Sequence, residues 1–295
     1  MNKYIFCGAA VATITPMGSD GSVDLERFSD FVDELVGQKI DAIVVNGTTG
    51  EAATLSDEEQ YNIICRIKDV INHRVPLIAG AGSNDTRHAA RLALNARNAG
   101  ADAVLCVTPY YNKANDEGLA EHFRYIAEKS QLPMILYNVP SRTGVNLRPE
   151  WYERIADVPN IVAVKEASGN LAQIARIRAY YGDRFAVYSG NDDTIVPTLS
   201  LGGKGVISVL ANIVPKDVHD LCVAYYSGDT KRAERLQLHY MPLIETLFSD
   251  VNPIPLKEAL KIMGRDTGVL RKPLSSMKPE AKIKMVEILE SYHLK

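Results

Sequence analysis

The sequence is short of cysteine, of long apolar runs and of net charge, and each shortage excludes a class of protein. Its four cysteines, Cys7, Cys65, Cys106 and Cys222, form no C-x-x-C pair. This spacing argues against a disulfide framework or a zinc knuckle and is typical of a reducing, cytoplasmic compartment. The apolar run within residues 1–16 is too short to cross a membrane and lacks a suitably placed small-residue cleavage site. We therefore expect this segment to form a first strand and the protein to have no membrane partner.

The charge and histidine patterns exclude further classes. The formal net charge is −3 and no basic run of the kind that grips phosphate is present, so we expect no nucleic-acid partner. The six histidines show no H-x-H or H-E-x-x-H spacing, and we expect no catalytic metal. The segment "LGGKG" (201–205) lacks the upstream glycine and the Ser or Thr of a phosphate loop. "GAG" (80–82) is equally weak evidence for nucleotide binding, so no cofactor is expected.

What the sequence does contain is a regular alternation of short apolar runs with longer amphipathic segments. With 295 residues, 46% apolar and 23% charged, it has the composition of an ordinary soluble globular protein of one large domain or two smaller ones. Eight apolar runs predict strands, which are residues 8–16, 41–47, 75–82, 101–109, 132–140, 160–168, 185–191 and 205–212. These runs are continuous rather than alternating, as expected where both faces of a parallel sheet are covered.

Helical patterns lie between these strands. Residues 24–39 and 56–72 are two examples, and the second begins with Ser56 followed by Glu59, the spacing of a capping box. Eight strand–helix units in about 225 residues predict an α/β fold of the (β/α)8, or TIM-barrel, type. The main alternative is a doubly wound sheet, but the count of eight and the missing dinucleotide fingerprint favour the barrel.

The last part of the chain has no strand pattern. Residues 230–250, 253–264 and 278–293 are helical in pattern, and no Pro/Ser-rich linker precedes them. We therefore predict a barrel over residues 1–229 that carries the active site, and a C-terminal helical region over residues 230–295 that packs on it.

Polar residues follow several of the predicted strands, and in such barrels the carboxyl ends of the strands carry the active site. Lysine is rarely buried without a partner, yet Lys165 ends the apolar part of the sixth run. The other strand-end residues are Thr48, Thr49, Glu51, Tyr110, Tyr111, Tyr137 and Arg142, with "YSGND" after the seventh strand. Each alone has an ordinary structural explanation, such as a surface lysine, a core tyrosine ring or a tight turn. Because they meet at one rim, we favour a site built around the lysine.

A lysine in this place favours Schiff-base chemistry. Partial burial lowers the pKa of an ammonium group and supplies the neutral amine that attacks a carbonyl. The resulting iminium withdraws electrons, so the neighbouring carbon loses a proton and becomes an enamine nucleophile. Tyr137, one strand away from Lys165, can transfer protons near the imine.

With these residues the sequence resembles the pyruvate-dependent class I aldolase superfamily, and within it the dihydrodipicolinate synthase (4-hydroxy-tetrahydrodipicolinate synthase) family. The shared motifs occur in order over essentially the whole chain and are "TITP", "NGTTGEAATLS", "VTPYYN", "ILYNVPSRTG", "VAVKEASGN", "LGGKGVISV" and "NPIPLKEAL". The resemblance implies a (β/α)8 barrel with a helical C-terminal region, assembled as a homotetramer of two tight dimers. It implies a lyase that condenses pyruvate with aspartate semialdehyde to 4-hydroxy-tetrahydrodipicolinate, in lysine and diaminopimelate biosynthesis.

The resemblance also assigns roles to individual residues. Lys165 matches the lysine that forms the Schiff base with pyruvate, and Tyr137 matches the tyrosine that moves protons at the imine. Thr48 matches the threonine that links Tyr137 to a second tyrosine, Tyr111, which the adjacent subunit inserts into the site. The backbone N–H groups of Thr48 and Thr49 match those that hold the pyruvate carboxylate, and Arg142 matches the arginine that positions the semialdehyde carboxylate. Gly190 and the carbonyl of Ile207 match groups that line the site.

Two other functions remain open at this point. A sibling lyase, such as N-acetylneuraminate lyase or a keto-deoxy-sugar-acid aldolase, shares the lysine and the tyrosine, but "GTTGE" and "SRTG" point to the synthase. A non-catalytic barrel that binds a keto acid as a sensor would have no need of the complete set of Lys165, Tyr137, Thr48, Tyr111 and Arg142.

The resemblance finally implies a regulatory pocket. The residues that match the lysine-binding cleft of feedback-inhibited members are Ala52, Ala53, Asp57, Gln60, Asn84, His88 and Tyr110. In sensitive bacterial members the position of His88 holds a glutamate that pairs with an amino group of the bound lysine. Because a histidine is neutral or positive near pH 7, we predict that inhibition by lysine is weak or absent.

Overall fold

Eight parallel strands form a closed barrel in the computed structural model, which describes residues 4–295. The strands are β1 (Gly8–Ala12), β2 (Ala42–Val45), β3 (Leu77–Gly80), β4 (Ala103–Val107), β5 (Met134–Asn138), β6 (Ile161–Glu166), β7 (Ala186–Ser189) and β8 (Gly205–Ser208). They pair in chain order, and β8 closes the barrel on β1. Each strand lies inside its predicted run, so the (β/α)8 barrel is confirmed and the doubly wound alternative is wrong.

Helices connect and cover the strands. In the described part of the chain they are α1 (Leu25–Gly37), α2 (Asp57–Ile71), α3 (Thr86–Asn98), α4 (Asp116–Ser130), α5 (Pro140–Thr143), α6 (Leu171–Tyr181), α7 (Ile195–Ser200), α8 (Pro215–Tyr226), α9 (Thr230–His239), α10 (Met241–Leu247), α11 (Ile254–Ile262) and α12 (Pro279–Ser291). The predicted capping box of α2 is confirmed, because the Glu59 N–H donates to the Ser56 hydroxyl and the Ser56 N–H donates to the Glu59 carboxylate.

The barrel interior is filled with side chains, so it is a packed core rather than a channel. Inward-facing residues such as Val44, Ile78 and Ile135 are fully buried there. Just before β1 the Phe6 ring stacks on the Tyr188 ring of β7 with centroids 4.2 Å apart, and the Tyr188 hydroxyl donates to the Phe6 carbonyl at 2.8 Å. This packing fills the interior where the chain enters β1.

The C-terminal region is helical, as the sequence predicts. Helix α9 packs on α8, and α12 packs on α10 and α11. Buried residues of this region, including Leu256, Met285 and Leu289, belong to the same apolar core as the outer face of the barrel. Because that core is continuous, a division of the chain at residue 230 stays a prediction. None of the helices in residues 4–295 is both long enough and apolar enough to cross a membrane.

Candidate active site

Lys165 and Tyr137 are neighbours because of the register between two strands. The pairing of β5 with β6 sets Tyr137 opposite Lys165. Successive strand residues face opposite sides of a sheet, so a registered pair shares one face, here the barrel interior. The Lys165 Nζ atom lies 4.4 Å from the centroid of the Tyr137 ring. The tyrosine hydroxyl is thereby held in the same small space as the amine.

Burial makes the Lys165 amine unusually acidic. Only 6% of the residue is exposed. Burial lowers the pKa of Lys165 from 10.5 to about 8; the Asp192 carboxylate opposes this shift and the Arg142 guanidinium adds to it. At pH 7 about a tenth of such a group is the neutral amine, against fewer than about one in a thousand for an ordinary lysine. The structure therefore supplies the nucleophilic form that imine chemistry needs.

The Tyr137 hydroxyl is shifted in the opposite direction. Burial raises the pKa of Tyr137, while the Arg142 guanidinium and a hydrogen bond with the Thr48 side chain partly offset the rise. The hydroxyl is therefore protonated at neutral pH. A protonated hydroxyl beside a neutral amine can pass protons to and from an imine nitrogen or its carbinolamine precursor.

The loop after β2 carries Thr48 and Thr49 and is held on two sides. We call residues 47–51 the threonine loop. The Thr48 side chain makes a hydrogen bond with the Tyr137 side chain in the barrel. Thr49 is buried, and its hydroxyl accepts a hydrogen bond of 2.9 Å from the Asn252 side-chain amide in the C-terminal region.

Two adjoining cavities open at the carboxyl ends of the strands. The first has a volume of about 280 Å³, and its walls include Thr48, Thr49, Tyr137, Arg142, Lys165, Ala167, Gly190, Phe248 and Asn252. The second, of about 430 Å³, shares Thr48, Tyr137, Arg142 and Asn252 with the first and extends towards His88 and Tyr110. The charged groups in the walls of the first cavity are the Lys165 amine, the Arg142 guanidinium and one carboxylate, Asp250. Two basic groups against one acidic group suit a small carbonyl compound that carries a carboxylate.

Most of the residues singled out from the sequence meet in the first cavity. Lys165, Tyr137, Thr48, Thr49, Arg142 and Gly190 all line it. A Cβ atom on Gly190 would lie 2.5 Å from the Ala167 Cβ, so only glycine allows the loop after β7 to approach so closely. The roles of these residues stay predictions.

Two of the predicted residues lie elsewhere. Tyr111 is 89% exposed and is not among the residues that line the first cavity. Its backbone is left-handed, with φ of 73°. Ile207 is buried in β8 and is not among the residues that line the first cavity. Their roles stay predictions too.

Sequence reasoning missed residues that reach the cavity from the C-terminal region. Phe248 and Asn252 line it, although residues 230–295 were expected only to pack on the barrel. The available signal was the motif "NPIPLK", which begins at Asn252. Asp192, the last residue of the predicted strand-end segment "YSGND", was given no role of its own. It is buried, its carboxylate accepts 2.9 Å hydrogen bonds from the N–H groups of Val209 and Leu210, and its charge acts on Lys165.

Comparisons with known proteins agree with this geometry. The model of the dihydrodipicolinate synthetase family matches residues 5–292. The chain is 50% identical over 273 residues to 4-hydroxy-tetrahydrodipicolinate synthase 1 of Clostridium acetobutylicum, covering 92% of this chain and 93% of that protein. It is similar to the lysine-bound dihydrodipicolinate synthase structure from Cyanidioschyzon merolae, with a TM-score of 0.96, 39% identity and coverage of 99% and 100%. It is also similar to a structure described as the first monomeric variant of dihydrodipicolinate synthase, with a TM-score of 0.95, 38% identity and coverage of 99% and 98%.

A closed parallel barrel with a buried lysine beside a tyrosine at its strand ends defines a lyase of the class I aldolase type. The chain belongs to the dihydrodipicolinate synthetase family. Its reaction is the condensation of pyruvate with aspartate semialdehyde to 4-hydroxy-tetrahydrodipicolinate, a step of lysine and diaminopimelate biosynthesis. These matches favour the synthase over the sibling lyase and over the non-catalytic sensor.

Proposed function

We propose that Lys165 forms the Schiff base with pyruvate in this reaction and that Tyr137 moves the protons. The observation that carries the proposal is the buried Lys165 amine, with its pKa lowered to about 8, 4.4 Å from the centroid of the Tyr137 ring. The neutral amine adds to the keto carbon of pyruvate, and water leaves as the iminium forms. The methyl carbon then loses a proton to give an enamine, which attacks the aldehyde carbon of the semialdehyde. Attack of the semialdehyde amino group on the imine carbon closes the ring and releases Lys165.

The two substrate carboxylates are assigned to different walls of the cavity. The backbone N–H groups of Thr48 and Thr49 bind the pyruvate carboxylate, and Arg142 binds that of the semialdehyde. Both threonines and Arg142 line the same cavity as Lys165, which supports this assignment. One Arg142 nitrogen donates to the Asn252 carbonyl at 3.3 Å. Since a guanidinium has five N–H donors, enough remain for a bidentate contact. Gly190 and the Ile207 carbonyl complete the proposed wall.

Reduction of the imine tests the proposal directly. Pyruvate with borohydride should leave a stable adduct on Lys165, seen as a mass shift of the peptide that contains it. A label on another lysine, or no label, would overturn the assignment. Adding aldehydes before reduction tests the second substrate. A preference for N-acetylmannosamine over aspartate semialdehyde would instead indicate the activity of the sibling lyase.

The rate of trapping should depend on pH in a defined direction. Only the neutral amine attacks, so at a fixed, limiting pyruvate concentration the rate should rise with pH up to about 8 and level off above it. An ordinary lysine would give a rate that keeps rising to about pH 10.4. A rate profile measured from pH 6 to pH 10, corrected for borohydride decay, distinguishes the two. A midpoint above pH 9.5 would contradict the burial-shifted lysine.

We also propose that the enzyme assembles as a homotetramer of two tight dimers and that Tyr111 acts across the dimer. The high exposure of Tyr111 supports this, because a partner subunit is then needed to bring it to a cavity. The Tyr111→Phe variant should lose activity by roughly tenfold or more, while the neighbouring Tyr110→Phe variant loses much less.

Mixing the Lys165→Ala and Tyr111→Phe variants gives a sharper test of the shared site. A Lys165→Ala subunit still carries Tyr111, and a Tyr111→Phe subunit still carries Lys165. Mixed dimers of the two therefore contain one intact site and should recover activity that neither variant has alone. No recovery after subunit exchange, or a fully active monomer at high dilution, would contradict a Tyr111 role in the partner's site.

Lysine should inhibit this enzyme weakly or not at all. His88 lines the second cavity, and its Nε2 atom lies 2.8 Å from the Asp57 carboxylate. Arg91 donates to the other Asp57 oxygen at 2.9 Å. Asp57 is thus already paired and cannot replace the missing glutamate. Loss of one carboxylate from a partly buried site for a dication costs about 2–5 kcal/mol, which is more than tenfold in affinity.

An inhibition curve with the His88→Glu variant as comparison measures this effect. We expect half-maximal inhibition of the unmodified enzyme above about 1 mM lysine, equivalent to about 4 kcal/mol of binding. The His88→Glu variant should be inhibited at lower concentrations. Sensitivity of the unmodified enzyme below that limit would mean that a shifted pocket binds lysine despite His88.

We propose a cytoplasmic location on the evidence of the cysteines. Cys7, Cys65, Cys106 and Cys222 are all unpaired. Free thiols of this kind are typical of reducing compartments.

A further inference from the structure

An ion pair between Glu51 and Lys257 lies buried behind the threonine loop. The Lys257 ammonium is 2.6 Å from one Glu51 oxygen, and the two side chains are 3% and 1% exposed. The second Glu51 oxygen accepts the Arg271 N–H at 2.9 Å, and the ammonium also donates to the Val269 carbonyl at 2.9 Å. All these partners of Glu51 come from the C-terminal region, more than 200 residues along the chain.

Glu51 is the last residue of the threonine loop, and the loop is a tight unit. Its N–H donates to the Thr48 carbonyl at 3.1 Å, and the Gly50 N–H donates to the Gly47 carbonyl at 3.1 Å. Glu51 itself has a left-handed backbone, with φ of 57°, which a non-glycine residue keeps only when its surroundings hold it. A shift of the Glu51 side chain is therefore passed to Thr48 and Thr49.

We propose that Lys257 and Glu51 are positioning residues for pyruvate binding, because their ion pair sets where the Thr48 and Thr49 N–H groups stand relative to Lys165. This inference rests on the proposed role of the two threonines as carboxylate ligands. Lys257 lines neither cavity, and Glu51 lines the second but not the first, where Lys165 lies. The pair therefore acts on pyruvate through the loop rather than by contact with it. The C-terminal helices thereby become part of the substrate site.

The choice of residue types supports positioning over simple stabilisation. A buried ion pair adds little net stability compared with well-packed apolar side chains of similar volume, because both charges lose their water. What it does supply is a close charge contact, 2.6 Å long, between the end of the threonine loop and the C-terminal region. The hydrogen bond from Asn252 to Thr49 acts on the same loop from the same region, which is what a positioning function requires.

The alternative is that the ion pair only ties the C-terminal region to the barrel. Arg265 and Glu34 provide a second ion pair for comparison, because it ties the same region to α1, away from the threonine loop. Its side chains are more exposed, at 29% and 40%. If tying is all that matters, variants of either pair should lower thermal stability and leave the pyruvate dependence of the folded enzyme unchanged.

Borohydride trapping at varied pyruvate concentration separates the two roles. For folded Lys257→Met enzyme we expect the half-saturating pyruvate concentration to rise roughly tenfold or more, since small misplacement of a binding group has effects of this size. The amount trapped at saturation should stay near that of the unmodified enzyme, because Lys165 stands on β6 and is untouched. The Arg265→Met variant should keep the unmodified half-saturating concentration.

A double variant keeps the test informative if Lys257→Met fails to fold. In the Lys257→Met, Glu51→Gln double variant both charges of the pair are removed, so no unpaired charge is left buried. The glutamine side chain can still accept the hydrogen bond from the Arg271 N–H. Its melting temperature should return towards that of the unmodified enzyme, while its half-saturating pyruvate concentration stays raised. The inference is overturned if the double variant has the half-saturating pyruvate concentration of the unmodified enzyme. It is also overturned if Arg265→Met raises that concentration as much as Lys257→Met does. Failure of the unmodified enzyme to trap pyruvate on Lys165 would instead overturn the proposed function.

Discussion

The Lys165→Ala variant should show no borohydride trapping of pyruvate and should lose condensation activity by about 10⁴-fold or more, the scale seen when a covalent nucleophile is removed. No other lysine lines the first cavity in the described part of the chain, so no second amine is at hand to form the imine. Mass spectrometry of the treated protein and a coupled condensation assay measure the two losses.

The same variant should remain folded at pH 7. The pKa of Lys165 is depressed in the fold from 10.5 to about 8, so its protonated form destabilises the fold below pH 8 and this cost disappears as the pH rises from 8 to 10.5. The cost at pH 7 is about 3 kcal/mol. Removing the side chain removes that cost and leaves a small void whose effect has the opposite sign. Thermal unfolding should therefore show a melting temperature close to that of the unmodified enzyme.

Two controls make this result specific. Lys165→Arg keeps a cation in place but offers a guanidinium that cannot form an imine, so it should be as inactive as the alanine variant. Lys216→Ala removes an exposed lysine that pairs with Asp220 and should trap pyruvate normally. Trapping that persists in Lys165→Ala would place the nucleophile elsewhere.

The Arg142→Ala variant should lose turnover with aspartate semialdehyde by roughly 100-fold, while imine formation with pyruvate falls far less. A bidentate, charge-assisted contact in a partly desolvated wall has an effect of this order. Because the Arg142 charge also lowers the pKa of Lys165, the pH midpoint of trapping should move upwards in the variant. Steady-state rates with each substrate varied, together with the trapping profile, measure both effects.

The Arg142→Lys variant distinguishes charge from shape. It retains a cation near Lys165, so the trapping midpoint should stay close to that of the unmodified enzyme. It lacks the planar fork, so semialdehyde turnover should stay low. If Arg142→Ala lowers imine formation and semialdehyde turnover equally, Arg142 serves the pyruvate step and the assigned role is wrong.

Local sequence patterns determined the fold class and most of the candidate site. Continuous apolar runs set the eight strands, because a strand covered on both faces has no polar side. The capping box at Ser56 set the start of α2, because its hydrogen bonds involve residues only three apart. Strand order then brought Lys165, Tyr137 and Arg142 to one rim, since in a parallel barrel every strand ends on the same side.

Tertiary structure alone decided which of those residues touch and what holds them. The register between β5 and β6 pairs Tyr137 with Lys165, and a shift of one residue would have turned one of them out of the barrel. Asn252 reaches Thr49 across 203 residues of sequence, and Lys257 reaches Glu51 across a similar distance. Contacts of this range leave no periodicity in the chain, because they depend on how helices pack rather than on where they begin and end. The sequence pattern was therefore enough to single out Lys165 as the candidate amine. How the threonine loop beside it is held was decided by the packing of the C-terminal helices.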